Sequence, residues 1–193
     1  ENTEAVDYYV AFDNFKVGQL QGQALLDGLA ERAGHEAPYN IELFSGSPDD
    51  ANSAVFFNGA MDVLQPKIDD GTLNVVSGQT AIAQTATEGW LAENAQNRMD
   101  TLLTGSYSGD TVLDGVLSPN DTLARAIITS VQQAGKPVPV VTGQDSEVES
   151  VKSIMEGIQY STINKDTSLL VAQTIKMVEQ LQKGEEVDVN DTE

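Results

Sequence analysis

The stretch DGVLSPNDTLARAIITSVQQAGKPVPVVT, residues 114–142, contains the pattern that decides the fold. A β-rich run at residues 114–117 precedes a helical segment at residues 122–134, whose apolar side chains recur at spacings of three and four. Gly135-Lys136-Pro137 then ends the helix, because glycine accepts a left-handed cap and proline cannot continue the helix. A second β-rich run follows at residues 138–142. Since parallel strands need a crossover, which is usually helical, this unit predicts a parallel sheet covered by helices.

The same alternation runs through most of the chain. Further strands are predicted at residues 6–12, 39–44, 73–77 and 161–163, and further helices at residues 15–33, 52–68, 90–103, 147–157 and 167–183. The chain has 193 residues, 40% of them hydrophobic, which fits one domain or one domain with pieces of a second. The predicted fold class is therefore α/β, a parallel sheet sandwiched by helices, and we expect a larger protein to continue on both sides.

Composition excludes several classes of function. Thirty acidic and ten basic side chains give a formal net charge of −20. A field of that sign repels phosphate backbones and anionic membranes, so no nucleic-acid partner is expected. The absence of cysteine excludes thiolate metal sites, disulfides and cysteine nucleophiles. The single histidine, His35, lies beside Gly34 in a polar stretch that predicts an exposed loop, so no metal and no cofactor are expected.

Polar and aromatic side chains follow the predicted strands. In open parallel sheets, ligands bind beyond the carboxyl ends of the strands, so these residues are the candidates for a site. In chain order they are Asn52, Trp90, Asn120, Asp145 and Lys165. Taken singly, each has a structural explanation: the amides and the aspartate as helix caps, the tryptophan in a core, the lysine on the surface. Their convergence on one edge of one sheet favours a binding site.

The chemistry of this set suits a neutral polyol better than a reaction. Amide and carboxylate groups can each engage two adjacent hydroxyl groups, and lysine donates to a ring or hydroxyl oxygen. An indole face covers the C–H face of a pyranose. Nothing in the set resembles an activated nucleophile beside its base. The sequence also lacks Gly-x-Gly-x-x-Gly and a Walker loop, the usual phosphate cradles.

At these residues the sequence resembles the xylose-type and multiple-sugar-type periplasmic sugar-binding proteins of bacterial ABC transporters. The matching stretches run in family order across nearly the whole chain: YVAFDN at 9–14, GSPDDAN at 46–52, GWLAENA at 89–95, SPND at 118–121, TGQD at 142–145 and YSTINKD at 160–166. The resemblance implies two Rossmann-like lobes of the type I periplasmic-binding-protein fold, closing over one monosaccharide. It assigns sugar contacts to Asn52, Trp90, Asn120, Asp145 and Lys165.

The resemblance also implies a division of the chain. Residues 1–13 are expected to be the end of a first-lobe strand and a hinge segment. Residues 14–164 are expected to form the C-terminal sugar-binding lobe. Residues 165–193 are expected to be a second hinge segment and a helix of the first lobe. The chain then resembles half of a clamp, and we expect it to bind sugar weakly on its own.

Three functions remain open at this point. The first is a solute-binding protein, not an enzyme, that delivers a monosaccharide to permease subunits and also meets a chemoreceptor or sensor kinase. Such a protein is periplasmic or extracellular, and is membrane-associated as a lipoprotein in a Gram-positive cell. The second is the sugar-sensing effector domain of a transcription repressor, with a helix-turn-helix upstream. The third is an isomerase or hydrolase that uses Asp145 and Lys165 as an acid–base pair, although no nucleophile or metal cluster accompanies them.

Overall fold

The computed structural model describes residues 6–190. Its sheet has four strands, all parallel, in the order β2-β1-β3-β4. The strands are β1 Tyr39–Leu43, β2 Leu73–Val75, β3 Gly115–Leu117 and β4 Val140–Val141. Ile41 of β1 lies in register with Val75 on one side and Gly115 on the other. The predicted α/β class with a parallel sheet is confirmed.

The helices follow the strands as the alternation predicted. They are α1 Asn14–Arg32, α2 Ala51–Asp69, α3 Ile82–Thr85, a 3-10 turn at Glu88–Trp90, α4 Ala92–Gly105, α5 Asp121–Gln133, α6 Val148–Met155 and α7 Thr167–Lys183. The short α3 was not predicted. Consecutive strands of the sheet are thus connected through a helix, which is α2 after β1, α4 after β2 and α5 after β3, and parallel pairing requires such connections.

The helices cover both faces of the sheet. On one face α1 and α2 pack over a core that includes Leu25, Leu64 and Leu117, all at most 2% exposed. On the other face α4 and α5 pack over a core that includes Met99 and Val116, both fully buried. Leu117 and Val116 are neighbours on β3 and point to opposite faces, as the pleat dictates.

The α1–α2 contact depends on close backbone approach. A Cβ added at Gly18 would lie 2.0 Å from the carbonyl oxygen of Phe56, and one at Gly59 would lie 2.1 Å from that of Phe15. Neither distance is possible for a real side chain. Glycine at both positions therefore allows these helices to pack together, with α1 over β3 and β4 and α2 over β2.

Two predicted strands are wrong. Among the described residues, none of the four strands pairs with residues 6–12, which form no regular element. A β-rich sequence also fits an extended segment, and only a hydrogen-bonded neighbour makes it a strand. Residues 161–163 also lie outside any strand, although the Ile163 amide donates to the Gly143 carbonyl at 3.2 Å. Residues 161–163 run beside the end of β4 without forming a hydrogen-bonded ladder with it.

Most element boundaries differ from the prediction by one or two residues, and two of these differences have a clear physical cause. The strand predicted at 138–142 is only Val140–Val141, because Pro137 and Pro139 cannot donate to a ladder. The helix predicted from Trp90 begins at Ala92 instead. Gly89 and Trp90 both have positive φ, 63° and 54°, which interrupts a continuous helix.

The chain divides into two compact units. One is Asn14–Asn164, which contains the sheet and α1 to α6, and the other comprises Glu1–Asp13 with Lys165–Glu193. In the second unit, α7 begins at the cap Asp166, which accepts from the Ser168 amide at 3.0 Å, and ends at Gly184 with φ 70°. The assignment of these units to lobes of a larger protein stays a prediction.

Helix α7 carries apolar side chains on its surface. Five of them are between 46% and 64% exposed: Leu169, Val171, Ile175, Val178 and Leu181. None of the helices between residues 6 and 190 is long and apolar enough to cross a membrane.

Candidate functional site

The loops that follow β1, β3 and β4 lie side by side at the carboxyl edge of the sheet, because these strands are neighbours and parallel. The loop after β1 leads to Asn52, the loop after β3 contains Asn120, and the loop after β4 contains Asp145. The last two loops are joined directly, since the Asp121 amide donates to the Gln144 carbonyl at 3.0 Å. The sheet thus brings these candidates to one edge, as predicted.

Asn52 lies in the first turn of α2 but does not cap it. The cap is Asp50, whose side chain accepts from the Asn52 amide at 2.9 Å. The Asn52 side chain is exposed, and its Oδ1 accepts from Nδ2 of Asn14 at 2.8 Å. Asn14 is the first residue of α1 and was not among the predicted site residues. It orients the Asn52 amide so that Nδ2 is the group left to donate.

Trp90 is half-buried, and its indole lies on Gly46 in the loop after β1. Its buried part packs against the core under α4 and α5. A tryptophan with φ 54° occupies a left-handed conformation that bulky residues rarely adopt. The core explanation for Trp90 and the binding explanation are therefore compatible: one part of the ring is packed, and the rest is accessible.

The segment that carries Trp90 is fastened to the loop after β1. The Ser45 amide donates to the Thr85 carbonyl at 2.9 Å, and the Thr87 amide donates to the Gly46 carbonyl at 3.2 Å. The Gly89 amide donates to Oγ of Ser47 at 2.7 Å. These bonds fix the position of Trp90 relative to the sheet edge. The short α3 takes part in them, because it ends at Thr85.

A buried polar network around Glu42 supports the segment that carries Trp90. Glu42 of β1 is fully buried and accepts from the Tyr107 hydroxyl at 2.9 Å and the Ser77 hydroxyl at 2.6 Å. Burial and the nearby charge of Glu42 raise the pKa of Tyr107 far above its usual range, so the phenol stays a donor. Ser77 directly follows β2 in the sequence, and its amide also donates to Glu42 at 3.0 Å. The carboxylate therefore ties the start of the Trp90 segment to the sheet.

Arg98 of α4 adds a second tie. It donates to the Leu43 carbonyl at 2.8 Å and to Oε1 of Gln79 at 2.8 Å, and its guanidinium lies 4.2 Å from the centre of the Phe44 ring. Burial lowers the pKa of Arg98 to about 10, with the charge of Glu42 opposing the change, so the side chain keeps its charge at neutral pH. Glu42 and Arg98 were not predicted as supporting residues, because the sequence does not show whether a charged residue in a strand or helix is buried.

Asn120 and Asp145 differ in how the backbone uses them. Asn120 is the cap of α5, and its Oδ1 accepts from the Leu123 amide at 2.9 Å. Asp145 is no cap, because α6 begins only after Glu147. The Asp145 side chain is exposed and its φ is 96°, while its amide donates to the Ile163 carbonyl at 3.0 Å. Helix capping thus explains Asn120 in part and Asp145 not at all.

Lys165 belongs to the second compact unit and is half-buried there.

His35 is exposed, as predicted, and its Nε2 lies 3.0 Å from Oδ1 of Asp114 at the opposite end of β3 from the candidate site. Within residues 6–190 there is no group of three or more histidine, aspartate or glutamate side chains arranged to hold a metal ion.

Residues 1–186 match the model of the family described as periplasmic binding protein domain. The chain therefore belongs to the periplasmic binding proteins, and the resemblance drawn from its sequence is confirmed. It is 49% identical over 196 residues to the multiple sugar-binding periplasmic receptor ChvE of Rhizobium radiobacter, covering 99% of this chain and 55% of that protein. It is 33% identical over 192 residues to the D-xylose-binding periplasmic protein of Escherichia coli K12, covering 99% and 53%.

Solved structures give the same picture. An ABC transporter solute-binding protein from Clostridium phytofermentans with bound β-D-glucose matches with a TM-score of 0.88 and 42% identity, over 100% of this chain and 59% of that one. A carbohydrate transporter solute-binding protein from Chloroflexus aurantiacus in complex with D-glucose matches with a TM-score of 0.83 and 33% identity, over 100% and 60%. The chain spans about half the length of the curated relatives it matches.

Proposed function

We propose that this chain is the ligand-binding part of an ABC-transporter solute-binding protein that holds a monosaccharide reversibly and does not transform it. The observation that carries the proposal is the carboxyl edge of the sheet, where Asn120 and Asp145 lie on joined loops beside the loop that supports Trp90. The similarity to proteins named for sugar and xylose binding supports the same ligand class.

Each side chain has a distinct role in the proposed site. The exposed carboxylate of Asp145 accepts from two neighbouring hydroxyl groups of the sugar. Asn120 donates through Nδ2, because its Oδ1 is already engaged by the Leu123 amide. The accessible part of the Trp90 indole covers the apolar face of the ring. Asn52 adds an amide donor, and Lys165 adds an ammonium donor.

The two compact units correspond, in this proposal, to different lobes. Residues 14–164 form the C-terminal lobe, and residues 1–13 and 165–193 belong to the hinge and the first lobe. The exposed apolar side chains of α7, such as Leu169 at 64% and Ile175 at 54%, support this assignment, because a helix of a larger lobe buries such a face. The relatives, roughly twice as long as this chain, provide the length for such a lobe.

We also propose the binding partners and the cellular location of the protein. A protein of this class delivers its sugar to permease subunits, and a chemoreceptor or sensor kinase is a further partner. Its location is periplasmic or extracellular, with a lipid anchor where the cell has one membrane. The relatives named above are periplasmic or solute-binding proteins, which gives the repressor alternative no support.

Affinity should be divided between the lobes. A micromolar complex corresponds to about −8 kcal/mol, and half of the contacts leave about −4 kcal/mol, a millimolar constant. Loss of closure weakens the remaining contacts further, because water screens them. We expect the 193-residue chain to bind sugar with a dissociation constant in the millimolar range or weaker.

The experiment uses the single tryptophan as a reporter. The chain is titrated with D-glucose, D-xylose, D-galactose and L-arabinose up to tens of millimolar while Trp90 emission is followed. A saturable change with one sugar and not another supports the proposal. A submicromolar constant for the chain alone contradicts the division of the site between lobes, and absence of response in the full-length protein contradicts sugar binding.

A further inference from the structure

Asp121 is a buried carboxylate whose bonds lead away from its own helix. It is the first residue of α5 and is fully buried. Its Oδ2 accepts from the Glu147 amide and from the Thr162 hydroxyl, both at 2.9 Å, and its Oδ1 accepts from Nε2 of Gln159 at 3.0 Å. One side chain therefore joins the start of α5 to the loop after β4 and to the segment before Asn164.

The loop after β4 is shaped to receive this carboxylate. A Cβ added at Gly143 would lie 2.1 Å from Oδ1 of Asp121 and 2.6 Å from Nε2 of Gln159. Both distances are far below van der Waals contact, so the backbone at position 143 packs directly on the side chains of Asp121 and Gln159. The loop that contains Asp145 therefore packs directly on the side chain of Asp121.

The turn at Asp145 and Ser146 is strained. Asp145 and Ser146 are consecutive residues with positive φ, 96° and 50°, in a region that residues other than glycine rarely adopt. Such conformations persist only where the surrounding structure over-determines them. An outlier pair of this kind, at the residue proposed to contact the ligand, requires an identifiable restraint.

Three successive amides supply that restraint. The Asp145 amide donates to the Ile163 carbonyl at 3.0 Å, the Ser146 amide to Oγ1 of Thr162 at 3.1 Å, and the Glu147 amide to Asp121 at 2.9 Å. The Thr162 hydroxyl accepts from Ser146 and donates to Asp121. Asp121 thus restrains the turn twice, once directly and once through Thr162.

A role in starting α5 does not account for Asp121. The cap of the helix is Asn120, and an acidic side chain in the first turn favours the helix dipole without being buried. Burial penalises the carboxylate and raises the pKa of Asp121, while the hydrogen bonds from Glu147, Thr162 and Gln159 oppose the rise. A buried charge of this kind persists where its hydrogen bonds organise a polar site.

We propose that Asp121 is a positioning residue for the ligand: with Thr162 it holds residues 145–147 in the conformation that presents the Asp145 carboxylate to the sugar. The inference rests on the proposed function, because it requires Asp145 to contact the ligand. Asp121 itself does not touch the sugar and acts on affinity only through Asp145.

A double-mutant cycle in the full-length protein tests this inference. Dissociation constants for D-glucose and D-xylose are measured by calorimetry for wild type, Asp145→Asn, Asp121→Asn and the double variant. We expect each single variant to weaken binding by about 10- to 100-fold, the range of a hydrogen bond to a charged group. The double variant should bind as Asp145→Asn does, within about 2-fold, because the same contact cannot be lost twice.

The outcomes separate the two proposals. If Asp145→Asn leaves the dissociation constant unchanged, the proposed site is wrong and the positioning role falls with it. If Asp145→Asn weakens binding while Asp121→Asn does not, or if the two losses multiply in the double variant, the positioning role alone is overturned.

A second pair of variants keeps the test independent of the folding of Asp121→Asn. Thr162→Val removes the hydroxyl that links Ser146 to Asp121, and Thr162→Ser retains it. We expect Thr162→Val to weaken sugar binding about as much as Asp121→Asn, and Thr162→Ser to bind as wild type. Equal affinities for Thr162→Val and Thr162→Ser contradict the relay. Thermal unfolding of each variant shows that the comparison is made on folded protein.

Discussion

The indole of Trp90 lies directly on the backbone of Gly46. A Cβ added at Gly46 would lie 2.0 Å from Cη2 and 2.2 Å from Cζ2 of the indole. The tryptophan therefore depends on the absence of a side chain in the loop after β1, and its accessible part is held at the sheet edge by that contact. The position of Trp90 in the proposed site therefore depends on the residue at position 46. Replacing Gly46 by alanine, which adds one methyl group, tests this dependence.

Gly46→Ala should displace Trp90. The added methyl group cannot fit under the ring, so the indole must move or the loop must shift, at a cost of about 1–3 kcal/mol in the free energy of unfolding. We expect a shift in the Trp90 emission maximum and weaker sugar binding by the full-length protein. Gly105→Ala is the matched control, because nothing lies within 4 Å of its added Cβ. An unchanged emission spectrum for Gly46→Ala contradicts the stacking.

Asn120 allows the structural and binding roles of one residue to be separated. Asn120→Asp keeps an oxygen that accepts from the Leu123 amide but loses the Nδ2 donor. We expect its unfolding free energy to change little and its sugar affinity in the full-length protein to fall. Asn120→Ala should lose both, with a cost of about 1 kcal/mol in stability from the missing cap. Wild-type affinity in Asn120→Asp means that Asn120 is only a cap.

The buried carboxylate of Glu42 predicts an unequal response of two tyrosines. Tyr107→Phe removes a donor at 2.9 Å from Glu42 in the core and should lower the unfolding free energy by about 1–3 kcal/mol. Tyr160→Phe removes a hydrogen bond to Glu31 near the surface and should change it by less than about 0.5 kcal/mol. Urea unfolding of both variants measures the difference. Equal losses argue against a special role for the Glu42 network.

His35 should make stability depend on pH. The hydrogen bond to Asp114 raises the pKa of His35, and the contact with the Glu36 carbonyl adds to the change. A raised folded pKa contributes stability that is fully present below the unfolded value of about 6.5 and is lost as pH rises through the folded value. The single histidine can be titrated by NMR without assignment. We expect a midpoint above that of an unfolded histidine, and His35→Gln should remove this part of the pH dependence of urea unfolding.

Much of the fold was predictable because its signals are local. The helix predicted at residues 167–183 is found with those bounds, since Asp166 and Gly184 mark its ends in the sequence itself. The order of strands and helices follows from alternating hydrophobic periods. The strand predicted at residues 6–12 is wrong because strand formation depends on a neighbour that no local pattern reveals.

The positions of the candidate residues at the sheet edge were predictable from the sequence, and the contacts that support them were not. Asn52, Asn120 and Asp145 follow strands, and the topology places their loops at one edge. Asp121 has the sequence appearance of an ordinary first-turn acid after the cap Asn120. Its burial, and the strained turn at Asp145 that it restrains, arise from contacts with residues 143–162, which are distant in sequence. Local patterns carry no information on such contacts.

The most direct test of sugar binding at the carboxyl edge compares two aspartates in the full-length protein by calorimetry with D-glucose and D-xylose. Asp145→Asn changes the exposed carboxylate after β4, and Asp110→Asn makes the same substitution on an exposed residue before β3, at the opposite edge. We expect wild type and Asp110→Asn to bind one of these sugars equally well, and Asp145→Asn to bind it at least about 10-fold more weakly. Equal binding by all three proteins, or binding of neither sugar, would contradict sugar binding at this edge.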